Sequence, residues 1–270
     1  MTHPIDRIEL KLARAETHLE AIRQAVEAIT VRSPDLIPGE FDRREHRYVF
    51  RATRDSAEGD WLSPLIGDCV HNFRAALDYL AWELSSPAYR ASHPTSIEFP
   101  IFVSREGYDG PNGAARRIRG IDPAAQLVIK CLQPFNGPGC RPDFSFAHPT
   151  EKPLWRLAEL DNWDKHRSLN LTEDVASMRF IGFEQLSVIV PREPIRHGGA
   201  FERGTPLVTA MLALGNPAVD VQLEATYDIA FDPRGPESVV AEPVLRTLDE
   251  IRDEVRFRIL GGLGRFLPPR

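Results

Sequence analysis

The chain has 270 residues, 42% of them hydrophobic and 27% charged, with a formal net charge of −6. That length buries a sizeable core without staples, the composition is that of a globular protein, and the mild acidity argues against a surface built broadly for nucleic acid. Three cysteines with no C-x-x-C spacing argue against a disulfide framework or a cysteine zinc site, and make a reducing cytoplasm the expected setting.

The N-terminus carries charges where a secretory signal would be apolar, and no run approaches the length of a membrane span. Residues 5–30 repeat apolar side chains three and four apart: Ile5, Ile8, Leu12, Ala15, Leu19, Ile22, Val26 and Ile29. That is a heptad seam on one helix. It serves either packing within its own domain or self-association through residues 5–30. Ser33-Pro34 through Pro38-Gly39 breaks the helix, and RYVFRAT at 47–53 alternates as a strand. A second helix runs from about Trp61 or Ser63 to Leu84. Residues 85–122 read as irregular, with a short extended piece at 96–102 and a basic cluster of Arg116, Arg117 and Arg119. A short helix is expected at 123–132, then a Pro-rich loop at 133–153, then a helix at 150–170. The last third turns to strands at 185–191, 206–214 and 219–231, joined by Gly-rich turns at 196–199 and 215–217. A helix closes the chain at about 241–260.

The expected fold is α+β: a helical part with the long N-terminal helix, and an antiparallel sheet of about four strands drawn mostly from 185–231. Residues 1–32 form the projecting or packed helix, and 40–265 one integrated domain. The Gly-rich GGLG at 261–264 follows a helix, so it reads as a helix exit rather than a phosphate loop. Walker, Rossmann, G-x-S-x-G and H-E-x-x-H motifs are absent from the sequence.

The chemistry concentrates in two helices. In GDCVHNFRAALDYLAWEL at 67–84, Ile66, Cys69, Val70, Phe73, Leu77, Leu80 and Leu84 make the apolar stripe. His71, Arg74 and Asp78 share a strip on the opposite side. In the helix at 150–170, Asp161 and Lys165 fall on the buried side, an i,i+4 pair in the favourable order, with Asp164 beside them and His166 on a second strip. Charges on a buried face need partners. We therefore expect His71, Arg74 and Asp78 to meet the segment 161–167 in one polar cluster.

These two segments, with the extended FPIF and the late HGGAF and IAF, resemble a family of uncharacterised bacterial proteins carrying a G-D-x-x-H-N-x-R-x-A-L-D helix and a later D-K-H-R segment. The resemblance covers most of residues 60–260 and implies no established activity. It points to His71, Asn72, Arg74, Asp78, Asp161, Lys165, His166 and Arg167. A more distant likeness is to the HEPN class of helical RNases, whose site is an Arg followed by a His on one helix. Here His71 precedes Arg74.

Three readings follow. In the first, a hydrolase acts on a phosphoester or RNA. His71, Asp78 and His166 are the catalytic groups, Asn72, Arg74, Lys165 and Arg167 bind the substrate, and Asp161 and Asp164 hold a divalent metal. In the second, the same cluster binds an anion without chemistry. In the third, it is a buried ion-pair lock and residues 5–30 drive assembly. Nucleic acid is disfavoured by the net charge, and no membrane partner is expected.

Overall fold

The computed structural model describes residues 3–30, 34–57, 59–137, 148–181, 188–189, 200–212 and 221–269. The fold is α+β. The elements in chain order are α1 (Pro4–Thr30), β1 (Asp35–Asp42), β2 (Arg47–Arg51), α2 (Ser63–Leu84), α3 (Pro87–Ser92), α4 (Arg105–Asp109), α5 (Ala115–Ile118), α6 (Pro123–Cys131) and α7 (Pro153–Asp164). They continue with β3 (Leu171–Ile181), β4 (Val188–Ile189), β5 (Pro206–Leu212), β6 (Gln222–Phe231) and α8 (Val244–Asp253), which runs on into a π-helical stretch, Glu254–Leu260. The turns expected at 196–199 and 215–217, and Cys140 in the Pro-rich loop, lie outside the described residues.

The chain gathers into two compact units, each built from distant stretches. Unit 1 takes Met1–Ile22, Pro64–Leu169 and Leu245–Arg270. Unit 2 takes Arg23–Ser63 and Asn170–Val244. Helix α1 runs through both. Its seam side chains Ile8, Leu12, Ala15, Leu19, Ile22 and Val26 are buried within the chain. Within unit 1 the Ala15 carbonyl accepts the Cys69 thiol at 3.4 Å, and Arg256 pairs with Glu16 at 2.6 Å. Ile5 and Ile29, at the two ends of the seam, are partly buried, and Leu10 stays exposed. Among the described residues, no helix is long and apolar enough to cross a membrane.

Unit 1 is held by the faces that periodicity marks. Ile66, Cys69, Val70, Phe73, Leu77 and Leu80 of α2 are essentially inaccessible, as are Leu248, Ile251, Val255 and Ile259 of the closing helix. Helix α2 ends where Ser86, held extended before Pro87, cannot continue it. Cys69 is a free buried thiol. Cys131, at the end of α6, is disulfide-bonded, which the sequence reading does not anticipate.

Unit 2 is an antiparallel sheet in the order β3-β6-β1-β2-β5-β4. Among the described residues it has six strands where about four are expected, because β1, β2 and β3 come from outside 185–231. Strand β1 is shared along its length: Asp35 to Pro38 pair with β6, and Gly39 to Asp42 pair with β2. Gly39 is glycine for a steric reason, since a Cβ there would lie 2.9 Å from Phe50 Cε1 and 3.0 Å from Tyr48 Cδ1. The apolar face gathers Ile37, Tyr48, Phe50, Leu207, Leu223 and Ala225. Phe50 of β2 meets Phe180 of β3 edge to face at 5.3 Å, although these strands are not neighbours in the sheet. The sheet is therefore curled.

One polar network pins this unit. Glu173 of β3, 1% exposed, accepts both terminal nitrogens of Arg54, at 2.6 and 2.8 Å, and the Ala57 backbone N–H at 2.9 Å. Arg54 Nε donates to Asp35 at 3.1 Å, and its guanidinium lies over the Tyr227 ring at 4.4 Å. Each guanidinium nitrogen of Arg54 and each carboxylate oxygen of Glu173 has a hydrogen-bond partner in the fold, the arrangement a buried ion pair requires.

Candidate functional site

Helices α2 and α7 belong to unit 1 and meet at their polar sides. Pro153 opens α7 at its first turn, where a missing N–H costs nothing. Leu154, Leu157, Leu160 and Asp161 form its buried face. The helix ends at Asp164 rather than near 170. Beyond it, the His166 and Arg167 backbone N–H groups both bond to the Trp163 carbonyl, so Lys165, His166 and Arg167 lie on an exit turn.

Asp161 is the centre of the arrangement. Its side chain is 6% exposed, and its two oxygens face two different groups. Oδ1 lies 3.3 Å from His71 Nδ1, and Oδ2 accepts from Lys165 Nζ at 2.6 Å. The His71 ring itself is 59% exposed. A carboxylate facing Nδ1 favours the tautomer with the proton on that nitrogen, which leaves the Nε2 lone pair outward. Among the described residues Nε2 has no hydrogen-bond partner. The Lys165 charge offsets the cost of burying Asp161.

Asp164 completes the group. Its carboxylate rests on Gly67 of α2, where a Cβ would lie 2.3 Å from Oδ1. Glycine in mid-helix normally costs stability. Here its lack of a side chain is what admits the acid. Loss of water around Asp164 raises its pKa above the ordinary carboxylate value of 3.8, as do the negative charges of Asp161 and Asp68. His71 opposes the shift. An imidazole with a free nitrogen thus sits in the field of a carboxyl that holds its proton more tightly than usual.

The structure divides the strip on α2. His71 meets α7, as the helical wheel suggests, but Arg74 and Asp78 do not. Arg74 Nη2 donates to the Phe99 carbonyl at 2.8 Å, and Asp78 Oδ1 accepts the Phe99 N–H at 2.9 Å. The two side chains also pair with each other at 3.0 Å. They strap the extended segment 96–102 to α2 and hold the Phe99 ring in the core. Burial raises the Asp78 pKa against the pull of Arg74. Gln133 grips the same segment further along, with its amide on the Pro100 carbonyl and the Phe102 N–H.

The remaining expected residues lie apart from the His71–Asp161 contact. Asn72 folds back onto the Asp68 carbonyl of its own helix at 2.8 Å. His166 is exposed on the exit turn. Arg167 lies over the Trp163 ring at 4.8 Å. Asp161 is committed to His71 and Lys165, and among the described residues no three His, Cys, Asp or Glu side chains converge as a metal-ligand set. Sequence reasoning assigns Gly67 no role. Its signals are a glycine inside a strongly helical run and its place at the head of the G-D-x-x-H-N motif.

No family model matches the chain, and neither a curated protein nor a solved structure does.

Proposed function

We propose that the α2–α7 face is a general acid–base centre that hydrolyses a phosphoester. The observation that carries this is the exposed His71 ring, oriented at Nδ1 by a buried carboxylate whose charge is balanced by Lys165. In the proposed reaction, water attacks phosphorus while His71 Nε2 takes its proton. The bond from phosphorus to the leaving oxygen breaks, and that oxygen takes its proton from the protonated fraction of Asp164, which loss of water enlarges. The imidazolium then returns its proton to Asp164, directly or through solvent, and both groups are reset. The cations at 165–167 favour an anionic substrate. The net charge of −6 favours a small one over RNA. A cytoplasmic setting belongs to the same proposal, and the disulfide at Cys131 is the observation that weighs against it.

The test is hydrolysis of p-nitrophenyl phosphate and bis-p-nitrophenyl phosphate by wild type, His71→Gln and Asp161→Asn, each with and without EDTA. The expected outcome is turnover by wild type that resists EDTA and falls by about 10²–10⁴-fold in His71→Gln. No turnover, or turnover indifferent to His71, rejects the reading. The burial of Asp161 favours the competing reading, a structural lock, which predicts instead that His71→Gln costs stability and that no substrate is consumed.

A further inference from the structure

Unit 1 carries a second polar feature, built from residues the acid–base centre does not use. Helix α3 turns back on α5. The Ser86 N–H bonds to the Gly120 carbonyl at 2.8 Å, and Ser85 bridges to Ile121. Gly120 lets the Tyr89 ring lie against the chain, since a Cβ there would come within 2.4 Å of Tyr89 Cδ1. Tyr89 in turn stacks on His93, with ring centres 4.3 Å apart and planes 10° from parallel. Opposite these rings, α5 and the residue after it present Arg116, Arg117 and Arg119. The result is a cleft of about 440 Å³ lined by Tyr89, His93, Glu98, Arg116, Arg117 and Arg119 among others. That volume falls in the range of small-molecule sites.

The charges in this cleft do not balance. Among the described residues Glu98 is its only carboxylate, and it is occupied twice, by Arg117 and by Arg74 at 3.8 Å. Arg117 is further fixed over the Phe102 ring at 5.3 Å. Arg116 has only a neutral partner, the Asn112 side-chain oxygen at 3.0 Å. Arg119 has no ion-pair or hydrogen-bond partner among the described residues. Three guanidinium groups around one concavity repel one another, and one carboxylate leaves two of them uncompensated. A solvated face disperses such charges over a convex surface. Here they converge within an acidic protein, beside an aromatic pair with room in front of it.

We propose that this cleft binds a small phosphomonoester carrying a planar ring, of nucleoside monophosphate size. Arg116 and Arg119 grip the phosphate, Arg117 is held as a fixed wall by Glu98, and the Tyr89–His93 stack receives the ring. Guanidinium groups fit phosphate oxygens in pairs, and aromatic faces accept a base whatever its sequence identity. A nucleic-acid strand is the less favoured occupant, because the basic groups are confined to one cleft instead of tracking a groove. The proposal is independent of the acid–base centre.

The experiment is calorimetric titration of the full chain with AMP, ribose 5-phosphate and inorganic phosphate, repeated on Arg119→Glu, Asn112→Ala, His93→Ala and His71→Gln. These are surface substitutions, and thermal melts check that each variant folds. Saturable AMP binding is expected, weakened at least about tenfold by Arg119→Glu, since a charge-assisted contact becomes a repulsive one. His93→Ala should weaken AMP but not ribose 5-phosphate, and Asn112→Ala should give a smaller loss by freeing Arg116 to move. His71→Gln should leave AMP affinity within about twofold, which separates this proposal from the fate of the hydrolase reading. Four results overturn it: no saturable binding of any of the three probes at millimolar concentration; AMP binding indifferent to Arg119→Glu; AMP binding lost with His71→Gln; or a single-stranded RNA oligomer binding more tightly than AMP with a steep salt slope.

Discussion

Two buried carboxylates in this protein solve the same electrostatic problem in opposite ways. Glu173 in unit 2 is closed on every side by a bidentate Arg54 and a backbone N–H. Asp161 in unit 1 is also buried, but one of its two partners is an imidazole that stands mostly in solvent. A closed network uses its charges to fix a strand against a loop. An open one leaves a titratable nitrogen directed outward, with its orientation already set. Depth of burial alone therefore does not separate a lock from a site. What separates them is whether the last partner in the chain still has an unused valence facing water.

The contrast is sharpest under substitution. Glu173→Gln strands Arg54 beside a neutral amide, and breaking one side of a buried pair costs about 3–5 kcal/mol. Its thermal midpoint should fall by roughly 10 °C, and a melt close to that of wild type would place the Arg54 network among ordinary surface pairs. His71→Gln should do the reverse: stability stays within about 0.5 kcal/mol while phosphoester turnover drops by the factor given above. If instead the melt collapses, unit 1 holds a second lock.

Gly67→Ala probes the same face from beneath. Alanine ordinarily stabilises a helix interior by about 1 kcal/mol over glycine, so the fold should tolerate it. The new Cβ, however, forces the Asp164 carboxylate aside, and turnover should fall about tenfold with the acid limb of the pH–rate profile displaced. An unchanged profile would remove Asp164 from the proposed chemistry.

The smallest effect concerns pH. The folded state raises the Asp164 pKa above 3.8, so the native protein binds that proton more tightly than the unfolded chain does. Ionised Asp164 therefore opposes folding at neutral pH, and the penalty fades as pH falls through the raised pKa to below 3.8. Asp164→Asn should raise the midpoint slightly at pH 7 and lose its advantage near pH 3.5. A constant gain at all pH values would point to packing rather than charge.

Much of this architecture is written in periodicity. The 3–4 spacing of Ile8 to Val26 and the stripe from Ile66 to Leu80 mark two helices to within a few residues. The alternation from Val221 to Phe231 marks β6. Other elements hide for physical reasons. Strand β1 contains Pro38 and Gly39, which read as a break; Pro38 ends the pairing with β6, and Gly39 makes room for two rings. Strand β3 buries Glu173 and Asp174 where a strand should bury apolar groups. A bulge between Val175 and Ser177 then shifts its alternation. At the site, the His71–Asp161 pairing could be suspected, because Asp161 falls on a buried face with Lys165 one turn on. The partner of Arg74 and Asp78 could not, because it is the backbone of Phe99, and a main-chain amide leaves no mark in side-chain patterns.

The divided loyalty of β1 also has a consequence for how the protein is made. Its pairing with β2 is local, closed by the short turn at 43–46, and forms early. Its pairing with β6 joins Asp35 to Ala225, far apart in sequence. The equilibrium cost of closing so long a loop grows slowly, by about 0.6 kcal/mol per doubling. The kinetic cost is larger, because distant strand pairings are slow to find. On the ribosome, the hairpin must wait with both edges bare until β5 and β6 have emerged, and an open edge invites pairing with other chains.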